Sequence, residues 1–386
     1  MGSVGSVKRL PVRSKTRSLS VEGALLVPVV LGLVLLGLLM VYSASYARAY
    51  QQLGDPNFFF KRQVLSAAIA LVLFVVCARM DYRRWMALDL PLLVFSSALV
   101  VATLVPGVAT GTRWIHLGVL NLQPTEVLKV ALLIYLAASL TRREARVGLF
   151  AQGVWPHLLV AGTLAALSIK QPDFGMALMF LSIAYFMLFV GGARIKHLLA
   201  TLLSLAPPLA ALMVAAPYRR ARLFSFLDPF SNASGSGYQV IQSLVSLGSG
   251  GLWGRGLGAG VEKLGYLPAA HTDFIFSVLG EEFGVWGTVL LVLSFFALGA
   301  LGLRIAWQAR DRFGALLAAG ITFALCLQAL LNLGVALGLL PVTGLTLPFV
   351  SYGGSSLFAS LAMAGMLVSV ARAGGGREQR ARVRRR

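Results

Sequence analysis

Acidic side chains are scarce in this chain. Its 386 residues hold 14 Asp and Glu against 34 Lys and Arg, and charged residues of both signs make up 12%. That share is about half of what a soluble globular domain carries, and a soluble fold of this length needs far more polar surface. Cysteine is almost missing as well. Cys77 and Cys326 both fall inside apolar runs, so no disulfide framework is implied. The same scarcity of charge weighs against nucleic-acid binding, the usual reading of a pI near 10.9. Other signatures are missing too: a ladder of carboxylates along one span, an Arg-rich helix, a selectivity-filter sequence and His/Cys metal spacing. The four histidines are scattered, and the glycines at 254, 256, 258 and 260 match neither nucleotide-loop pattern.

What is abundant is hydrophobic sequence, 58% of the chain, with a mean hydropathy of +0.80. A helix needs about 20 mostly apolar residues to cross ~30 Å of hydrocarbon. Ten stretches meet that length: 24–43, 63–79, 87–106, 124–140, 155–169, 174–192, 195–216, 274–303, 315–340 and 354–371. The composition therefore predicts an all-α integral membrane protein of about ten spans. The first stretch is too long for a removed signal peptide and lacks its cleavage site. Counting Lys and Arg on alternate sides places 23 on the side of both chain ends and 10 on the other. By the positive-inside rule both ends are cytoplasmic. Three regions follow: a basic tail over 1–23, a polytopic domain over 24–372, and a second basic tail over 373–386. Basic tails beside a membrane attract anionic lipid. The longest connection, 217–272, then lies on the outer face of the membrane, and its ten glycines suggest mobility around a groove.

Charged groups near lipid are costly, so each is a functional candidate. Gln123-Pro124-Thr125-Glu126 opens the fourth span, and Glu126 and Lys129 share one face of its first turn. They read either as a local ion pair or as part of a polar pocket in which Lys129 meets an anion. Lys170 and Asp173 flank the short turn before the sixth span, where Asp173 is an N-cap or a site residue. Arg219, Arg220 and Arg222 follow the seventh span, as phosphate ligands or interface anchors, and Arg113 adds one more outer cation. His271-Thr272-Asp273 stands where the long connection enters the eighth span; Asp273 is an N-cap or a general base. Glu281 and Glu282 lie two turns deeper, as a buried network or a site. A greasy surface, a few outer cations and an interfacial carboxylate suit a transfer on a lipid-linked diphosphate. The carboxylate deprotonates the attacking hydroxyl, and the cations stabilise the leaving group.

Six segments, in order, carry a resemblance: 111–115 (GTRWI), 123–129 (QPTEVLK), 171–175 (QPDFG), 235–242 (GSGYQVIQ), 271–276 (HTDFIF) and 348–356 (PFVSYGGSS). The chain resembles the SEDS family, the shape, elongation, division and sporulation proteins of bacteria, over about residues 24–372. The resemblance implies a glycosyltransferase of the bacterial cytoplasmic membrane. It would polymerise lipid II, an undecaprenyl-diphosphate-linked disaccharide peptide, at the outer face, with inversion at the anomeric carbon. It implies Asp273 as catalytic base, with Glu126 and Lys129 among the substrate-binding residues. Arg113, Lys170, Asp173, Arg219, Arg222 and His271 complete the expected binding set. Expected partners are a class B penicillin-binding protein, other divisome proteins and membrane lipid, with no nucleic acid. No cofactor or protein-held metal is implied, and assistance by a divalent cation such as Mg or Mn stays open. Residues 344–348 (GLTLP) and 280–282 (GEE) look more like the division-type branch than the elongation-type branch. Met176, where the family commonly has a small hydroxyl residue, and Thr125, for the commoner Ser, are departures that touch no acid or base. The competing readings are a lipid II flippase, an elongation-type polymerase and an inactive scaffold. A flippase wants polar groups along a path through the bilayer and an internal repeat; here the polar groups gather at one end.

Overall fold

The computed structural model describes residues 20–105, 107, 113–118, 120–215, 217–233, 235 and 237–374. Most of both basic tails, Gly111, Thr112, Ser236 and the side chain of Arg219 lie outside the described residues. The chain runs through α1 (Val21–Leu53), α2 (Phe58–Arg79) and α3 (Asp89–Ala102), then a short hairpin of β1 (Ile115–Leu117) and β2 (Leu120–Leu122). After it come α4 (Pro124–Arg142), α5 (Trp155–Lys170), α6 (Phe174–Val190) and α7 (Ile195–Ala215). The last group is α8 (Pro217–Leu227), α9 (Tyr238–Ser249), α10 (Ile275–Trp307), α11 (Arg312–Ala336) and α12 (Gly354–Gly374).

Each expected apolar stretch falls on a helix, and local chemistry sets where those helices start. The Ser20 side chain accepts from the Gly23 N–H at 3.2 Å, Asp173 from Met176 at 3.2 Å and Asp311 from Gly314 at 2.8 Å. Pro124 occupies the first turn of α4, where its missing N–H leaves no bond unmade. Among the described residues, seven helices are long and apolar enough to cross a membrane: α1, α2, α4, α5 with its preceding turn, α10, α11 and α12. Helices α3 and α6 are apolar but shorter.

Burial sorts these helices into two layers. The apolar windows of α4, α11 and α12 are 83%, 72% and 89% buried, against 39% for α1 and 28% for α2. A helix apolar on every face belongs in the interior, and three such helices form the core. Around it stand α1, α2, α5 and α10, whose exposed Leu, Val and Phe side chains face outward where lipid covers them.

The long connection is folded rather than loose. Helix α9 lies on α10 and α11, with the Ser243 hydroxyl donating to the Ala336 carbonyl at 2.6 Å. The glycine-rich stretch after it is stitched to α10, so the mobility its glycines suggest does not hold for residues 250–264. The N–H groups of Arg255 and Gly256 donate to the carbonyls of Glu281 and Glu282, each at 3.0 Å, and Val285 N–H donates back to Gly251 at 3.0 Å. This exchange needs a break in α10, made at Gly284 with φ 64° and ψ −159°. The two acids then complete the joint. Glu281 accepts from the N–H of Val261 at 2.8 Å, while Glu282 accepts from Ser43 at 2.6 Å and from Lys263. Glu281 and Glu282 are thus a buried structural network joining α1, α10 and the connection.

Candidate functional site

A cavity of about 360 Å³ opens at the end of the bundle where α2, α4, α10 and α12 begin. Five separate chain segments line it. Helix α2 contributes Arg62 and Ser66, the hairpin region Arg113, Trp114, His116 and Asn121, and the start of α4 Gln123. Thr272 and Asp273 come from the turn before α10, while Gly344, Thr346, Tyr352 and Gly353 come from the α11–α12 connection, which runs into Gly354 at the start of α12.

These segments are irregular, so side chains fix them to the helices. Gln63 of α2 donates to the Ser351 carbonyl at 3.2 Å and accepts from the Gly353 N–H at 3.3 Å. The Ser355 hydroxyl donates to the Asn121 carbonyl at 2.9 Å and accepts from the Gln123 N–H at 2.8 Å, tying hairpin and α4 to the start of α12. The Tyr352 N–H donates to the His271 carbonyl at 2.9 Å. Every wall is braced against a helix.

Asp273 is the one carboxylate among the described residues that line the cavity. Burial pushes its carboxyl up to about 6, and nearby Asp173 adds to the rise. Arg222, the Thr272 hydroxyl and Arg113 pull the other way without cancelling it. A carboxyl titrating near 6 is charged at neutral pH yet basic enough to take a proton.

The other expected residues divide by position. Arg113 lines the cavity, but its guanidinium also donates to the Gln171 carbonyl at 2.7 Å and to that of Pro172, pinning the turn before α6. Asp173 is buried behind that turn, capping α6 and accepting from the Gln123 amide at 3.1 Å. Burial raises its carboxyl, against the pull of Arg113. The His271 ring is buried against Phe59 and Tyr352, with centroids at 4.9 and 5.5 Å. Burial, then Arg48, push its imidazole down to about 4, so it is neutral, and it packs behind Tyr352 without lining the cavity itself. Arg222 is exposed on α8, donating to the Val342 carbonyl at 3.2 Å, and its charge reaches Asp273. Lys170 is exposed at the end of α5 and is not among the cavity-lining residues.

Glu126 and Lys129 lie beneath the cavity, 3% and 0% exposed. The Lys129 ammonium donates to Glu126 Oε2 and to Gln328 Oε1, both at 2.6 Å. Of the two sequence readings of this pair, the ion pair is the one seen. Among the described residues no three His, Cys, Asp or Glu side chains gather into a metal-holding group.

Several residues of the site escape sequence reasoning. Arg62 reads there only as a topological charge, yet it lines the cavity with its guanidinium 4.5 Å from the Phe58 ring centroid. Gln328 and Asn332 of α11 are amides inside an apolar span, a signal that polar groups in lipid are there for a reason. Thr346 and Tyr352 carry no signal beyond the stretches 344–348 and 348–356.

An outer layer of lipid-facing helices, a buried helical core and a polar, carboxylate-bearing cavity at one end define a multi-pass membrane protein built to act on a ligand at the membrane boundary. Comparison with known proteins narrows the class. A family model of cell cycle proteins, FtsW/RodA/SpoVE, matches residues 24–374, and the chain belongs to that family, the SEDS proteins. A probable peptidoglycan glycosyltransferase FtsW from Trichlorobacter lovleyi is 40% identical over 94% of this chain and 96% of its own. A solved peptidoglycan synthase complex that coordinates polymerization and crosslinking contains a chain 34% identical, with a TM-score of 0.74 over 90% of this chain and 97% of that one. The crystal structure of the rod shape determining protein RodA of Thermus thermophilus is 32% identical, with a TM-score of 0.65 over 90% and 96% of the two chains.

Proposed function

We propose that this chain is a peptidoglycan glycosyltransferase that polymerises lipid II in cell division, with the cavity open to the outer face of the cytoplasmic membrane. The carrying observation is Asp273, the one carboxylate among the described residues that line the cavity, sharing that lining with Arg62 and Arg113. In this reading the acceptor 4-hydroxyl gives its proton to Asp273 as its oxygen attacks the anomeric carbon of the donor. The bond from that carbon to the diphosphate breaks, and the polyprenyl diphosphate leaves with the electron pair. Attack opposite the leaving group converts an α-linked donor into a β-1,4 polymer. Arg62 and Arg113 stabilise the charge that develops on the diphosphate. Asp273 then loses its proton to water.

The lipid chain has a place as well. An apolar cavity of about 470 Å³ runs between α5, α6 and α7, and Phe174, next to Asp173, lies on its wall. The orientation rests on the charge count, which leaves the cavity end outside. The FtsW relative, 40% identical over 94% of this chain, favours the division role. The relative solved in a polymerising and crosslinking complex supports a class B penicillin-binding protein as partner.

The test is polymerisation of labelled lipid II by the protein purified with its cognate transpeptidase. Polymer from wild type and none from Asp273→Asn is the expected result. Equal polymer from both removes Asp273 as base. No polymer from wild type, with lipid II scrambled across vesicles, defeats the polymerase reading in favour of a flippase.

A further inference from the structure

Helix α11 carries two amide side chains one turn apart, Gln328 and Asn332, which are 0% and 1% exposed. Neither faces the cavity, and both spend their hydrogens on its walls. Asn332 Nδ2 donates to two main-chain carbonyls, that of Asp273 and that of Leu345, each at 2.8 Å. Gln328 Nε2 donates to the carbonyl of Thr346 at 2.9 Å, while its Oε1 accepts from Lys129.

The chemistry of the partners fixes both amide orientations. Two carbonyl oxygens face Asn332, so its NH₂ must point at them; turned over, its oxygen would meet two acceptors. An ammonium cannot accept, so Gln328 must present its oxygen to Lys129 and its NH₂ to Thr346. Neither tie is replaced by secondary structure. Asp273 sits in the turn ahead of α10, and residues 341–347 are irregular. The two segments meet at the carboxylate, where a Cβ on Gly344 would stand 3.9 Å from Asp273 Oδ2.

We propose that Asn332 and Gln328 are positioning residues for the transfer: together they clamp the main chain at Asp273 to the 344–346 wall and set the carboxylate at the reach of the acceptor hydroxyl. The inference rests on Asp273 being the base. Lys129 then acts through Gln328, holding the amide that holds the wall. A misplacement of about 1 Å at a reacting group costs on the order of 10²-fold in rate, so the clamp bears on turnover while the cations that bind substrate keep their places.

The test uses the protein with its cognate transpeptidase and labelled lipid II, with kcat and KM measured across pH for Asn332→Ala. The expected result is a drop in kcat of about 10–100-fold, with KM within about threefold. The acid limb of the rate profile should also move toward the ordinary carboxylate range as water reaches Asp273. A merely structural role removes active protein equally at every pH, and leaves the limb where it was. Wild-type turnover, a loss confined to KM, or a loss with an unmoved limb each overturn the proposal. Should Asn332→Ala fail to accumulate in membranes, Asn332→Ser, whose single hydroxyl hydrogen serves one carbonyl at most, is judged on the same readings. Full polymerisation by Asp273→Asn would instead defeat the underlying assignment of the base, a different outcome in a different variant.

Discussion

Lys129→Met separates a buried structural cation from a ligand-binding one. In the structure its ammonium is 0% exposed and has two acceptors at 2.6 Å, the Glu126 carboxylate and the Gln328 amide oxygen. Removing it strands both. Breaking a buried ion pair from one side costs about 3–5 kcal/mol, and a buried amide oxygen left without a donor adds about 1–3 kcal/mol. The two terms share one site and overlap, so about 4 kcal/mol is the expected loss, or a fall in melting midpoint on the order of 5–10 °C. The assay is thermal unfolding in detergent, with size exclusion to confirm folding beforehand. The double variant Glu126→Gln with Lys129→Met should recover at least half of the loss, because the stranded charge is gone. A single variant as stable as wild type, but unable to bind lipid II, would refute the reasoning and make Lys129 a ligand contact.

Activity should fall on the acid side of neutrality. Burial pushes the Asp273 carboxyl up to about 6, so its basic form dominates above that pH and is lost below it. A profile of kcat/KM against pH that stays flat well below 6 would contradict this. Arg62→Ala should lower kcat/KM for lipid II by about 10–100-fold, the worth of one charge-assisted hydrogen bond, with Arg62→Lys in between; steady-state polymerisation reads both. Gly254→Ala should sharply lower yield and melting midpoint. A Cβ there would stand 2.2 Å from the Glu282 carbonyl oxygen, at a φ of +76° that disfavours any side chain. Normal thermal stability in that variant would show that the α10 joint is not what holds the connection.

How much of this was legible beforehand depended on the range of the interaction. Apolar runs marked the helices because a span must be apolar along its own length, and Asp173 and Pro124 announced helix starts because capping acts within one turn. Arg62 gives no such sign, because nothing local distinguishes a cavity arginine from one that sets topology. The glycines of 250–260 read as looseness from sequence, while in the fold some of them allow close approach to α10. Cβ atoms on Gly250 and Gly254 would collide with its carbonyls. The same property, no side chain, has opposite consequences depending on what comes near.

From sequence alone came the membrane class, the charge asymmetry between its two sides, the ordered motifs of its family and the prominence of Asp273 among so few acids. Those follow from composition and from bonds between near neighbours, which the chain carries in any conformation. The tertiary structure decided which polar groups are spent in the scaffold and which line the cavity. Lys129 is committed to Glu126 and Gln328, Glu281 and Glu282 to the joint with the connection, and Asn332 to the main chain at Asp273, 59 residues away. Arg62 is left lining the cavity. A hydrogen bond between residues so far apart in sequence exists only once the helices that carry them have packed, so the division between scaffold and site is a property of the packed bundle.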